Sequence, residues 1–136
     1  MKKAFVMLGL LGALSQVVHA ESLNRSPLET EMGAQVYICG LKSQLAQATK
    51  GKKQDGLTAE ARECSRSSKE SAKTRIKGEI DKYPEGDAMR DRLKALYSAY
   101  LTYMDAAMWG KDLNESSEAL AFKMKANEYK AELQLR

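Results

Sequence analysis

Histidine is almost absent from this 136-residue chain, and the only one, His19, lies in a leader that reads as cleaved after Ala20. Without it the remaining chain has no imidazole for Ser-His or Cys-His nucleophilic catalysis, for haem ligation or for the commonest zinc ligand. No Ser-x-x-Lys or Gly-x-Ser-x-Gly segment supplies the other familiar serine chemistries. Residues 51–56 have the Gly-x4-Gly spacing of a phosphate-binding loop, but Leu57 stands where such a loop needs lysine and no apolar strand precedes it. Paired acids occur as Glu60 with Glu63, Asp87 with Asp91, and Glu115 with Glu118. Each pair falls in the first turn of an expected helix, where acids complement the helix dipole. The expectation is a protein that is not an enzyme and carries no cofactor or metal.

Long apolar runs are equally scarce. The only one is in residues 5–14, after Lys2 and Lys3 and before Val18, His19 and Ala20, the order of a secretory signal. It is too short to span a bilayer core of about 30 Å. Residues 1–20 are therefore expected to leave as a signal peptide, placing the product in a Gram-negative periplasm with no stable membrane anchor. Lys2 and Lys3 go with it, so the formal charge falls from +4 to +2. So small an excess gives no reason to expect nucleic acid as the partner.

Cysteine is limited to Cys39 and Cys64. In an oxidising compartment an even count reads as a disulfide, and two cysteines pair in only one way. The spacing is far wider than a redox Cys-x-x-Cys, so the bridge is expected to be structural.

Strand signals and internal repeats are missing as well, and what is present is helical periodicity. Residues 21–27 read as a polar, flexible leader and residues 28–136 as a helical domain. In residues 28–49, Ala34, Ile38, Leu41, Leu45 and Ala48 recur at four and three, one face of an amphipathic helix. Met32, Val36 and Cys39 lie beside that face. Residues 51–56 then read as a turn, and Thr58 as the N-cap of a second helix reaching about Tyr83. The apolar stripe of that helix is thin: Ala61, Cys64, Ala72, Ile76 and Ile80, with Ser68 in line. For the bridge to close, the first helix must end near Gln47 or the turn must fold back.

Tyr83, Pro84 and Gly86 interrupt the pattern, with Pro84 or Asp87 opening the next helix. Residues 89–109 are the most apolar and aromatic stretch after the leader. Met89, Leu93, Leu96, Tyr100, Tyr103 or Met104, and Ala107 mark its buried face, and Tyr97, Leu101 and Met108 widen it. It reads as the central helix. Gly110 ends it, Asp112 with Glu115 resembles a capping box, and a last helix from Leu113 carries Ala119, Phe122, Ala126, Tyr129 and Leu133. Short connections favour antiparallel neighbours. The expected fold is all-α: a small antiparallel four-helix bundle closed by one disulfide after removal of a signal peptide.

Two surfaces remain for function. Arg62, Arg66, Lys69, Lys73 and Lys77 recur at four, three, four and four, forming a basic stripe on the second helix. Trp109 and Tyr97 lie at the end and edge of the central helix, where an aromatic can be spared from the core. Together they point to an exported interaction protein, such as an inhibitor, immunity or accessory factor, that binds another protein with an acidic face. The alternatives are a small-molecule or lipid carrier with a cavity beside the central helix, or an envelope-stress chaperone. Nothing in the pattern fixes an oligomeric state.

Overall fold

The apolar face read from residues 89–109 organises the molecule. A computed structural model describes residues 25–136, with four helices and, among those residues, no strand: α1 (Pro27–Ala48), α2 (Lys52–Ile80), α3 (Ala88–Met108) and α4 (Ser117–Gln134). The expected signal, residues 1–20, and residues 21–24 of the expected leader lie outside the described residues.

Met89, Leu93, Leu96, Tyr100 and Met104 of α3 are completely buried. All three other helices pack extensively on α3, which gives it the central place its composition implied. Tyr97, Leu101 and Met108 are half-buried against the same core. The Tyr100 hydroxyl donates to Gln35 Oε1 of α1 at 2.8 Å, satisfying the polar end of an otherwise apolar side chain. Burial pushes that phenol above its ordinary pKa.

Helix boundaries follow local chemistry. Ser26 accepts from the backbone N–H of Glu29 with Pro27 in the first turn. Asp87, rather than Pro84, caps α3 by accepting from Met89 N–H at 2.8 Å. At the turn before α3, Arg90 donates to the carbonyls of Ile80 and Tyr83 at 3.2 and 2.8 Å, supplying partners that the end of α2 lacks. Arg136 also reaches Asp87, and its guanidinium lies 5.3 Å from the Tyr83 ring centre, so the C-terminus is tied to the same turn.

Three expectations are corrected. The first is the rotation of α1. Ile38, Leu41 and Leu45 face solvent, at 54%, 46% and 55% exposure, and Ala34 and Ala48 are exposed with them. The buried face is Leu28, Met32, Val36, Cys39, Gly40, Ser43 and Ala46. Both faces have helical spacing, so periodicity alone could not choose between them. Cys39 must face Cys64, and Gly40 lies where a side chain would collide: a Cβ there would come within 2.6 Å of Leu113 and 3.2 Å of Ala107.

The second correction is the turn. Residues 52–56 are helical and exposed, and the chain reverses at residues 49–51, with Gly51 at φ 83°. Thr58 is therefore inside α2 rather than its cap. Cys39 lies nine residues before the end of α1 and Cys64 twelve after the start of α2, close enough in level to bond across a Cα separation of 5.5 Å. The third concerns α4, which begins at Ser117 with Ser116 as its cap. Asp112 does accept from the N–H groups of Asn114 and Glu115, but it closes the turn ahead of the helix. That turn buries Leu113, whose carbonyl accepts from the Tyr103 hydroxyl.

The disulfide spans 25 positions. Loop-closure entropy assigns a bridge of that span about 3.5 kcal/mol. Reduction, or replacement of both cysteines by serine, should lower stability by roughly that amount in denaturant titrations; an unchanged midpoint would refute the structural role. Acid should act through ion pairs. Lys111 and the Ser117 hydroxyl hold Glu118 down to about 2 from its ordinary 4.5. A lowered carboxylate pKa stabilises the fold above the ordinary value and loses that contribution as pH falls through about 4.5 to about 2. Thermal melts across this window should therefore show a smaller acid-induced drop in Tm for Glu118→Gln than for the wild type.

Candidate functional site

The small residues that make the stripe of α2 thin also leave space beside it. Ala61 and Ser65 of α2, with Ser43 and Ala46 of α1, form the floor of a cleft of about 710 Å³. Met108 and Trp109, at the end of α3, form one wall. The opposite rim carries Arg62, Arg66 and Lys69.

The wall is fixed by the way α3 ends. Gly110 N–H donates to the Ala107 carbonyl and Lys111 N–H to the Ala106 carbonyl, with Gly110 at φ 81°: a Schellman closure that needs glycine at this position. The Met108 carbonyl is satisfied from α1, by the Ser43 hydroxyl at 2.7 Å and Gln47 Nε2 at 3.3 Å. Gln47 also donates to Ser43 Oγ at 3.2 Å. Trp109 stands on this clamped terminus with 83% of its surface exposed. An indole that turns away from the core on a well-anchored backbone is the most unusual feature of the surface.

The three rim cations are not equivalent. Arg66 is held by two acids of its own helix, with Glu63 at 2.6 Å and Glu70 at 3.2 Å, and this pairing lowers the Glu63 pKa. Lys69 reaches across to Asp105 of α3, linking the two walls. Arg62 makes no ion pair with any described residue, so its guanidinium is the cleft's available positive charge.

Of the residues singled out in the sequence, Arg62, Arg66, Lys69 and Trp109 converge on this cleft. Lys73 and Lys77 are exposed farther along α2, outside its lining. Tyr97 is half-buried and stacks on Tyr100 with ring centres 6.3 Å apart, so it belongs to the core's edge. Ser43, Ala46, Gln47 and Asp105, to which the sequence pattern gave no site role, also line it, with Thr58. The first three share the face of α1 that its more conspicuous apolar stripe concealed.

At least one acid of each pair is held in an ion pair. Glu63 binds Arg66, Asp87 binds Arg136 and Glu118 binds Lys111. Among the described residues no three His, Cys, Asp or Glu side chains are grouped to hold a metal ion, and no helix is long and apolar enough to cross a membrane. No protein-family model, curated protein or solved structure matches this chain.

Because Trp109 packs so little, Trp109→Ala should leave folding stability within about 0.5 kcal/mol of the wild type in chemical melts. As the sole tryptophan, Trp109 should also be freely quenched by acrylamide. A blue-shifted, protected emission would contradict its exposure.

Proposed function

We propose that this chain is an exported protein-binding factor of the bacterial periplasm, acting as an inhibitor, immunity or accessory protein through the cleft between α1, α2 and α3. One observation carries the reading: Trp109, nearly fully exposed, shares a cleft with Ala46, Ala61 and Met108 and with Arg62, which makes no ion pair with any described residue. Tryptophan and arginine are the side chains most often dominant in protein interfaces, the first by burying area and the second by forked bonds to carboxylates. The complementary partner surface presents an apolar side chain to Ala46, Ala61 and Met108 and a carboxylate to Arg62. Lys73 and Lys77 extend the positive field toward a partner with an acidic face.

The scaffold in this reading is an antiparallel four-helix bundle. Opposed contacts support that order: Cys39 with Cys64 and Glu31 with Arg75 between α1 and α2, and Arg92 with Glu128 and Asp87 with Arg136 between α3 and the C-terminal segment. Export rests on the charged, apolar and small-residue order of residues 1–20.

A second reading is favoured by the size of the cleft, which falls within the range of about 300–1,000 Å³ typical of small-molecule sites. In that case the same walls take an apolar carboxylate, and native mass spectrometry of protein purified from its own host should show added mass. Capture from periplasmic extract separates the two. The wild type should retain a partner protein and show a blue shift of Trp109 emission as it binds. Trp109→Ala and Arg62→Glu should each weaken capture by roughly thirtyfold, the scale of an interface hot spot. Equal capture by the variants, or none by the wild type, would reject the protein-binding role.

A further inference from the structure

The outward face of α1 has a pattern of its own. Ala34, Ile38, Leu41, Leu45 and Ala48 repeat at four, three, four and three, the seam of a two-stranded helical pairing, and no described element covers them. The opposite face of the same helix is already filled by the core, so the strip is surplus to the packing of the described residues. We propose that α1 pairs with α1 of a second copy through this strip, forming a twofold dimer in which the two helices run in opposite directions.

Charge selects both the occupant and the direction. The positions flanking the seam, Gln35, Tyr37, Lys42 and Gln44, hold one charge among them, so the strip offers an acidic or basic partner little to recognise. Its ends differ in sign. Glu31 lies at the beginning of α1, exposed and only loosely paired with Arg75 at 3.7 Å. Lys50, Lys52 and Lys53 lie exposed just beyond the other end. Opposed helices bring the Glu31 end of each copy to the lysine end of the other, whereas parallel helices would set like charge against like. The opposed arrangement also places each Ile38 across from a Leu41, with the small Ala34 across from the large Leu45, so the two strips interlock.

Area sets the strength. At about 1.5 Å per residue the strip is about 21 Å long, and half the circumference of a helix over that length gives roughly 400 Å² per copy. Twice that, roughly 800 Å², is below the roughly 1,200 Å² at which stable specific interfaces begin, which makes the dimer weak and concentration-dependent rather than obligate. The strip lies on a different face of α1 from Ser43 and Gln47, so both clefts stay open and a dimer presents two of them.

Sedimentation of the purified protein over a concentration series tests this. The weight-average mass should rise from monomer toward dimer. Leu41→Lys, at an exposed position, should remain monomeric throughout with an unchanged circular dichroism spectrum and Tm. Glu31→Lys should weaken association at least tenfold, and combining it with Lys52→Glu and Lys53→Glu should recover it. A wild type that stays monomeric to millimolar concentration, or a Leu41→Lys protein that associates like the wild type, overturns the proposal. Loss of association in Glu31→Lys without recovery in the combined variant overturns the opposed direction. Trp109→Ala should dimerise normally, which keeps this result separate from the fate of the cleft.

Discussion

The bond between Cys39 and Cys64 is the constraint from which most other features follow. It points one edge of α1 at α2, and a helix fixed at one edge has little freedom to rotate. With Cys39 facing α2, the neighbouring Gly40 faces α3 and the turn before α4, where Ala107 and Leu113 approach too closely for any larger residue. The crosslink and the glycine together determine which of the two apolar faces of α1 enters the core. The face left outside is the more hydrophobic-looking of the two, an arrangement that burial area alone would not favour.

This is also where the sequence was hardest to read. The position of α3 was legible because its large apolar groups are concentrated on one broad face, and Gly110 and Asp87 mark its ends chemically. The rotation of α1 was not legible, because two stripes share the helical period and the deciding contact is made by a residue 25 positions away. The boundary between α1 and α2 failed for a related reason. Two glycines in residues 51–56 suggest a turn locally, yet only Gly51 adopts a positive φ, while Gly56 is accommodated inside an exposed helical turn. Of the candidate site, the contributions of Arg62, Arg66, Lys69 and Trp109 could be named from spacing and position. Their convergence could not, since it depends on α1 residues on the face that was misassigned.

The cleft illustrates how a scarcity of bulky side chains can be put to use. Ala61 and Ser65 give α2 too little volume to close against the end of α3, and the disulfide holds α2 in place despite its meagre apolar contact. Several of the polar groups that line the resulting space already have partners within the protein. Ser43 and Gln47 serve the Met108 carbonyl, and Lys69 serves Asp105. Of the charged side chains in the lining, Arg62 alone makes no ion pair with any described residue.

Trp109 follows the last hydrogen-bonded turn of α3, where glycine, serine and glutamine have already fixed the backbone. Much of the entropy that a recognition loop surrenders when it becomes ordered has here been given up during folding. An incoming surface would meet an aromatic plate on a backbone already hydrogen-bonded in place, with only the side-chain torsions left to settle. Such preorganisation acts on residence time more than on encounter, so in the proposed protein-binding role a single exposed indole lengthens a complex's life beyond what its modest contact area implies.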